Sequence, residues 1–114
     1  MSDPGESFDT TRMDLVTLAE DGSEVRLYVV GDRPWTGSDA QLSSLQEKIQ
    51  NYASFALDGQ LVRDYPTAAG LPWVVVIDCQ TGAPDEATRD LLERLGTGIE
   101  RDGGRLEVLI AASG

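Results

Sequence analysis

The stretch from Ser38 to Gly70, SDAQLSSLQEKIQNYASFALDGQLVRDYPTAAG, constrains the fold most, because one helix and its exit loop occupy nearly the middle third of the chain. Leu42, Leu45, Ile49, Tyr52, Ala53 and Ala56 recur at three- and four-residue spacings and form one apolar stripe. Ser44, Lys48, Asn51 and Ser54 fall largely off that stripe, so Lys48 is expected on a polar, solvated face. Ser38 followed three residues later by Gln41 reads as a capping box, in which the hydroxyl and the amide each satisfy a free N–H of the first turn. Gly59 is the natural stop, since glycine takes the left-handed conformation at little steric cost. Leu61, Val62 and Tyr65 then predict a short further turn facing the same core, which Pro66 ends.

The segment LQEKIQNYASFALDGQLVRDYPTAAG, preceded by DRPW at residues 32–35, resembles a family of small bacterial proteins classed as a domain of unknown function. The likeness runs from about Met13 onward and is strongest over the central helix and its exit. It implies no activity, cofactor or site residue, so every expectation below stands on the residues themselves.

Residues 1–11, MSDPGESFDTT, combine Pro, Gly, Ser and acids without apolar periodicity and are expected to be a flexible acidic leader to a single domain over residues 12–112. DLVTLA and EVRLYVV are β-rich runs joined through Asp21-Gly22, which predicts an antiparallel hairpin. Pro72 opens WVVVID, a continuous β-branched run suited to a central strand. Pro84 and Asp85 start a second helix with Ala87, Leu91, Leu92, Leu95 and Ile99 directed inward, ended by Gly103 and Gly104, and RLEVLIA supplies a last strand. The order ββαβαβ predicts an α+β, two-layer fold with a four-stranded mixed sheet and two main helices on one face, because right-handed crossovers in one direction keep both helices together. The other face is then bare. If Val74 and Val76 face the helices, Trp73, Val75 and Ile77 lie opposite as a sheet-face interface for a partner or a homodimer, unless the tail or the elbow at residues 61–65 covers them.

Charge narrows the partner classes. Nine basic against twenty acidic residues give a formal charge of -11, which argues against direct binding to nucleic-acid phosphates or an anionic membrane and favours another protein, a basic one above all. No apolar run reaches membrane-spanning length, and a cytoplasmic location is the expectation. The chain lacks histidine, which excludes Ser-His and Cys-His nucleophile pairs and His-containing zinc sites. Ser44 and Lys48 are four residues apart where a serine-lysine dyad motif needs three. Gly96 and Gly98 sit late in a helix, where they form no phosphate cradle. Cys79 is the single cysteine and reads as a small core residue. No catalytic residue, cofactor or metal site is expected.

A loose cluster remains at the carboxyl ends of the second and third strands: Asp32, Arg33 and Trp35 after one, Asp78 and Gln80 after the other. Two carboxylates, a guanidinium and an indole suit a small polar ligand, a divalent cation or a basic side chain of a partner. The competing reading is structural, with Asp32 and Arg33 shaping a turn, Trp35 packing over the helix start, and Asp78 and Gln80 capping a connection. Asp85 and Glu86 are assigned to the helix dipole. The functional expectation is a non-enzymatic protein-binding module, such as an inhibitor, neutraliser or assembly factor. The alternative is a small-ligand or metal-binding enzyme whose site lies at those strand ends.

Overall fold

Two antiparallel strands, Leu15–Leu18 (β1) and Val25–Gly31 (β2), open the fold as the predicted hairpin. Its turn is set by Gly22, at φ +69°, and by the Asp21 carboxylate, which accepts from the Ser23 amide at 3.0 Å and the Ser23 hydroxyl at 2.6 Å. The chain then crosses through Asp39–Leu57 (α1), a short helix Gln60–Asp64 (α2) and a 3-10 turn at Pro66–Ala68 to Trp73–Cys79 (β3). A second crossover through Glu86–Arg101 (α3) leads to Arg105–Ile110 (β4). β3 pairs in parallel with both β2 and β4, so the sheet is mixed and its order is β1-β2-β3-β4. α1 and α3 pack against each other over one face of it. This computed structural model describes residues 8–10 and 13–110; of the expected leader over residues 1–11, all but Phe8, Asp9 and Thr10 lie outside them.

The parity of β3 is opposite to the one expected. Val25, Leu27 and Val29 of β2 stand in register with Trp73, Val75 and Ile77 of β3, and all six belong to the core cluster with Leu45, Ile49 and Tyr52 of α1 and Leu91, Leu92 and Ile99 of α3. Trp73, Val75 and Ile77 therefore form no open interface. The large Trp73 indole goes to the layer between sheet and helices, where it buries most area, and only 8 % of it stays exposed. Val74 and Val76 take the opposite face yet are also 0 % exposed. Their register neighbours there are Arg26 and Tyr28 on one side and Arg105 and Glu107 on the other. Glu24 ties these arms together, pairing with Arg26 at 3.0 Å and Arg105 at 3.2 Å, and Arg105 pairs on with Glu107 at 3.1 Å. Long side chains thus cover the second face through their alkyl stems.

Smaller departures follow from the same packing. In the exit loop Leu61 and Ala68 are buried, whereas Val62 and Tyr65 stand out at 39 % and 43 % exposure. On α3, Ala87 is exposed and Thr88 turns inward instead. Phe8, although in the expected leader, is 5 % exposed and part of the core cluster. Among the described residues no helix is long and apolar enough to cross a membrane.

Candidate functional site

The carboxyl ends of β2 and β3 lead into loops that converge on the starts of α1 and α3. Gln41, fully buried, organises the first loop: its Oε1 accepts from the Thr36 amide at 2.9 Å and the Gly37 amide at 3.2 Å, and its Nε2 donates to the Pro34 carbonyl at 2.9 Å. Ser38 caps α1 as expected, its Oγ accepting from the Gln41 amide at 3.2 Å. The reciprocal half of the capping box is redirected, because the Gln41 amide group holds the preceding loop. Gly37, at φ +67°, lies where a Cβ would run into the Asp85 carboxylate, so the two helix starts abut and only glycine fits between them. Asp85 caps α3, accepting from the Thr88 hydroxyl at 2.5 Å and amide at 3.2 Å. Burial works against its charge, but the hydrogen bonds from Thr88 outweigh it and hold the carboxyl below its ordinary value.

Of the residues predicted for this end, Arg33 pairs with Asp32, and Arg33 and Trp35 meet around the Phe8 ring. The Trp35 ring lies on Gly31, where a Cβ would be 2.7 Å from its Cζ2, and faces the Phe8 ring at a centroid distance of 5.7 Å. The Arg33 guanidinium stands 4.8 Å from the Phe8 ring centroid and pairs with Asp32 at 3.0 Å. Trp35 Nε1 is buried without a hydrogen-bond partner among the described residues. Asp78 and Gln80 go elsewhere. Asp78 shares strand parity with Val74 and Val76, away from the helices, and its carboxylate accepts from Gln80 Nε2 at 3.1 Å. Cys79 between them is fully buried, and burial, with the Asp78 charge adding to it, pushes its thiol up to about 11, which suppresses the reactive thiolate. The polar cavity on this side, about 420 Å³, is lined by Asp9, Asp14, Val30, Asp32, Arg33 and Lys48 and includes neither Asp78 nor Gln80.

Lys48, expected in solvent, is the largest departure. Its side chain is 2 % exposed, and its Nζ donates to Asp14 Oδ1 at 2.9 Å and to the Asp9 carbonyl at 2.8 Å. Asp14 Oδ2 accepts from the Val30 amide at 2.9 Å. Tyr52 completes the cluster, its hydroxyl donating to the Tyr28 carbonyl at 2.8 Å and accepting from the Asp14 amide at 2.9 Å. A buried ammonium is tolerable because carboxylate and carbonyl replace its water. The sequence carried one signal: Lys48 stands three residues after Leu45 and four before Tyr52, which places it on the edge of the buried stripe.

At the opposite side of the sheet, β4 leaves its outer edge unpaired among the described residues. Val108, Leu109 and Ile110 are 39 %, 40 % and 54 % exposed. Beside them a groove of about 440 Å³ runs between α3 and β4, floored by Leu92, Leu106, Val108 and Ile110 and rimmed by Arg89, Glu93 and Glu100. Among the described residues no three Asp, Glu, Cys or His side chains gather as a metal-binding group.

Comparison of the chain with curated proteins and with solved structures gives no match. Residues 7–112 match the model of a family of unknown function (DUF6572), and the chain belongs to that family.

Proposed function

We propose that this protein is a protein-binding module that engages a basic partner along the β4 edge and the adjoining α3 groove. The observation that carries the reading is the run Val108, Leu109 and Ile110, three exposed apolar residues in succession on an edge strand that is unpaired among the described residues, of which Val108 and Ile110 line an apolar groove. Exposed edges of this kind accept a strand from another chain, with main-chain hydrogen bonds supplying affinity and flanking pockets supplying selectivity. β4 carries no proline or lysine to blunt it. Charge selects the partner: the rim holds Glu93 and Glu100 against one base, Arg89, and the chain as a whole carries -11, so a strand flanked by Lys or Arg is drawn in and an acidic one repelled.

The test is capture from the protein's own cell extract by tagged wild type and by a Val108→Arg, Ile110→Arg variant, each washed at low and high salt. A basic protein retained by wild type, lost from the variant and released by salt supports the reading. Equal capture by both proteins sinks it, as does turnover of a small substrate that disappears in Asp32→Asn.

A further inference from the structure

The edge away from β4 carries a second binding feature, independent of the groove just described. Ser44, Lys48 and Asn51 stand at i, i+4 and i+7 on α1, one row along the helix, and each reads the main chain of a successive residue of the N-terminal segment. Ser44 Oγ accepts from the Phe8 amide at 3.0 Å, Lys48 Nζ donates to the Asp9 carbonyl at 2.8 Å, and Asn51 Nδ2 donates to the Thr10 carbonyl at 3.1 Å. The Ser44 hydroxyl is pre-oriented for this, since its own proton goes to the Gln41 carbonyl at 2.9 Å. At the head of the row the Phe8 ring fills the box made by Arg33 and Trp35, at 4.8 Å and 5.7 Å. Residues 8–10 belong to no strand or helix. Such contacts are how proteins hold an extended peptide: donors and acceptors along the main chain, which tolerate many sequences, and one pocket, which selects a side chain.

We propose that the row Ser44, Lys48, Asn51 with the Arg33/Trp35 box is a peptide-docking groove. The chain's own residues 8–10 occupy it, and it accepts in their place a segment of a partner protein that is likewise in no strand or helix and bears an aromatic ring at the Phe8 position. The chemistry of the occupant is read from the segment seated there. A ring meets the Arg33 cation and packs at a tilt against the indole, one N–H meets Ser44, and two carbonyls meet Lys48 and Asn51. The tethered segment competes as an intramolecular ligand, so the groove is masked until a partner outcompetes it.

The full-length protein tests this with a fluorescein-labelled synthetic peptide of residues 5–11, GESFDTT, read by anisotropy in about 150 mM salt to screen like-charge repulsion. Phe8→Ala frees the box, and this variant is expected to bind the peptide about tenfold or more tightly than wild type, whose own segment competes. A peptide with alanine at the Phe8 position is expected to bind neither protein, and adding Asn51→Ala to the variant to weaken binding. The Trp35 indole N–H resonance is expected to move on titration. Should Phe8→Ala fail to fold, Phe8→Leu keeps the apolar volume while losing the ring face and serves instead. A folded variant that leaves the peptide unbound at millimolar concentration overturns the proposal, as does binding that is equal in wild type and variant or indifferent to the ring.

Discussion

Each tryptophan of this chain rests on a glycine, and that pairing governs what single substitutions do. Trp35 covers Gly31, and Trp73 covers Gly104, whose added Cβ would lie 2.6 Å from the indole Cζ2. The Trp73 ring is rigid and buried, so it cannot yield locally. Gly104→Ala is expected to lower stability by about 1–3 kcal/mol in urea denaturation, the usual cost of overpacking. Gly96 makes the contrast: a Cβ there would sit 3.4 Å from the flexible Leu106 Cδ2, and alanine favours the helix by up to about 1 kcal/mol, so Gly96→Ala should be neutral or stabilising. Equal losses at both positions would contradict this account. Neither tryptophan-glycine approach was legible beforehand, because a glycine at the end of a strand, like Gly31, or just before one, like Gly104, reads first as a turn.

Capping and inward stripe were read from residues, and α3 shows how far that reading reaches. Asp85 stood out as the helix start, and it is the N-cap. What the sequence did not disclose is that the same carboxylate lies against Gly37, fixing α3 beside the start of α1. Asp85→Ala is expected to cost about 1 kcal/mol near neutral pH, with Asp85→Asn losing less because its amide oxygen still accepts from the first turn. The pH dependence follows from the depressed carboxyl. Its contribution is complete above the ordinary value of 3.8 and is lost as pH falls through the lower folded value. The stability gap between wild type and Asp85→Ala should therefore be flat above about pH 5 and close below pH 4. A gap that stays constant to pH 2 would assign Asp85 a role other than its charge.

Over the whole molecule, nine bases cannot neutralise twenty acids, and the imbalance of -11 outweighs the few ion pairs on the sheet surface. Exposed pairs such as Arg105 with Glu107 each contribute about 1 kcal/mol or less. Self-repulsion acts over the entire compact state and is screened within about 10 Å at 0.1 M salt. The melting temperature should rise as sodium chloride goes from about 10 mM to about 150 mM. A fall over that range would mean that the Glu24, Arg105 and Glu107 network dominates, and Glu24→Gln would then remove the salt effect.

The sequence by itself determined the α+β class, the order of strands and helices, the hairpin at Asp21-Gly22, the cap at Ser38 and the stop at Gly59. These rest on periodicity and local backbone chemistry, which act over a few residues and are written in them. Only the tertiary structure decided which side of β3 meets the helices, since Trp73, Val75 and Ile77 and the alternate Val74 and Val76 are apolar on both parities. It also decided that Arg33, paired with Asp32, and Trp35 meet around the Phe8 ring while Asp78 turns away, because Asp78 shares the strand parity of Val74 and Val76. Lys48 makes the same point most sharply. Its burial depends on Asp14 and the Asp9 carbonyl, 34 and 39 residues away, and no local rule could supply the partners that make a buried charge stable.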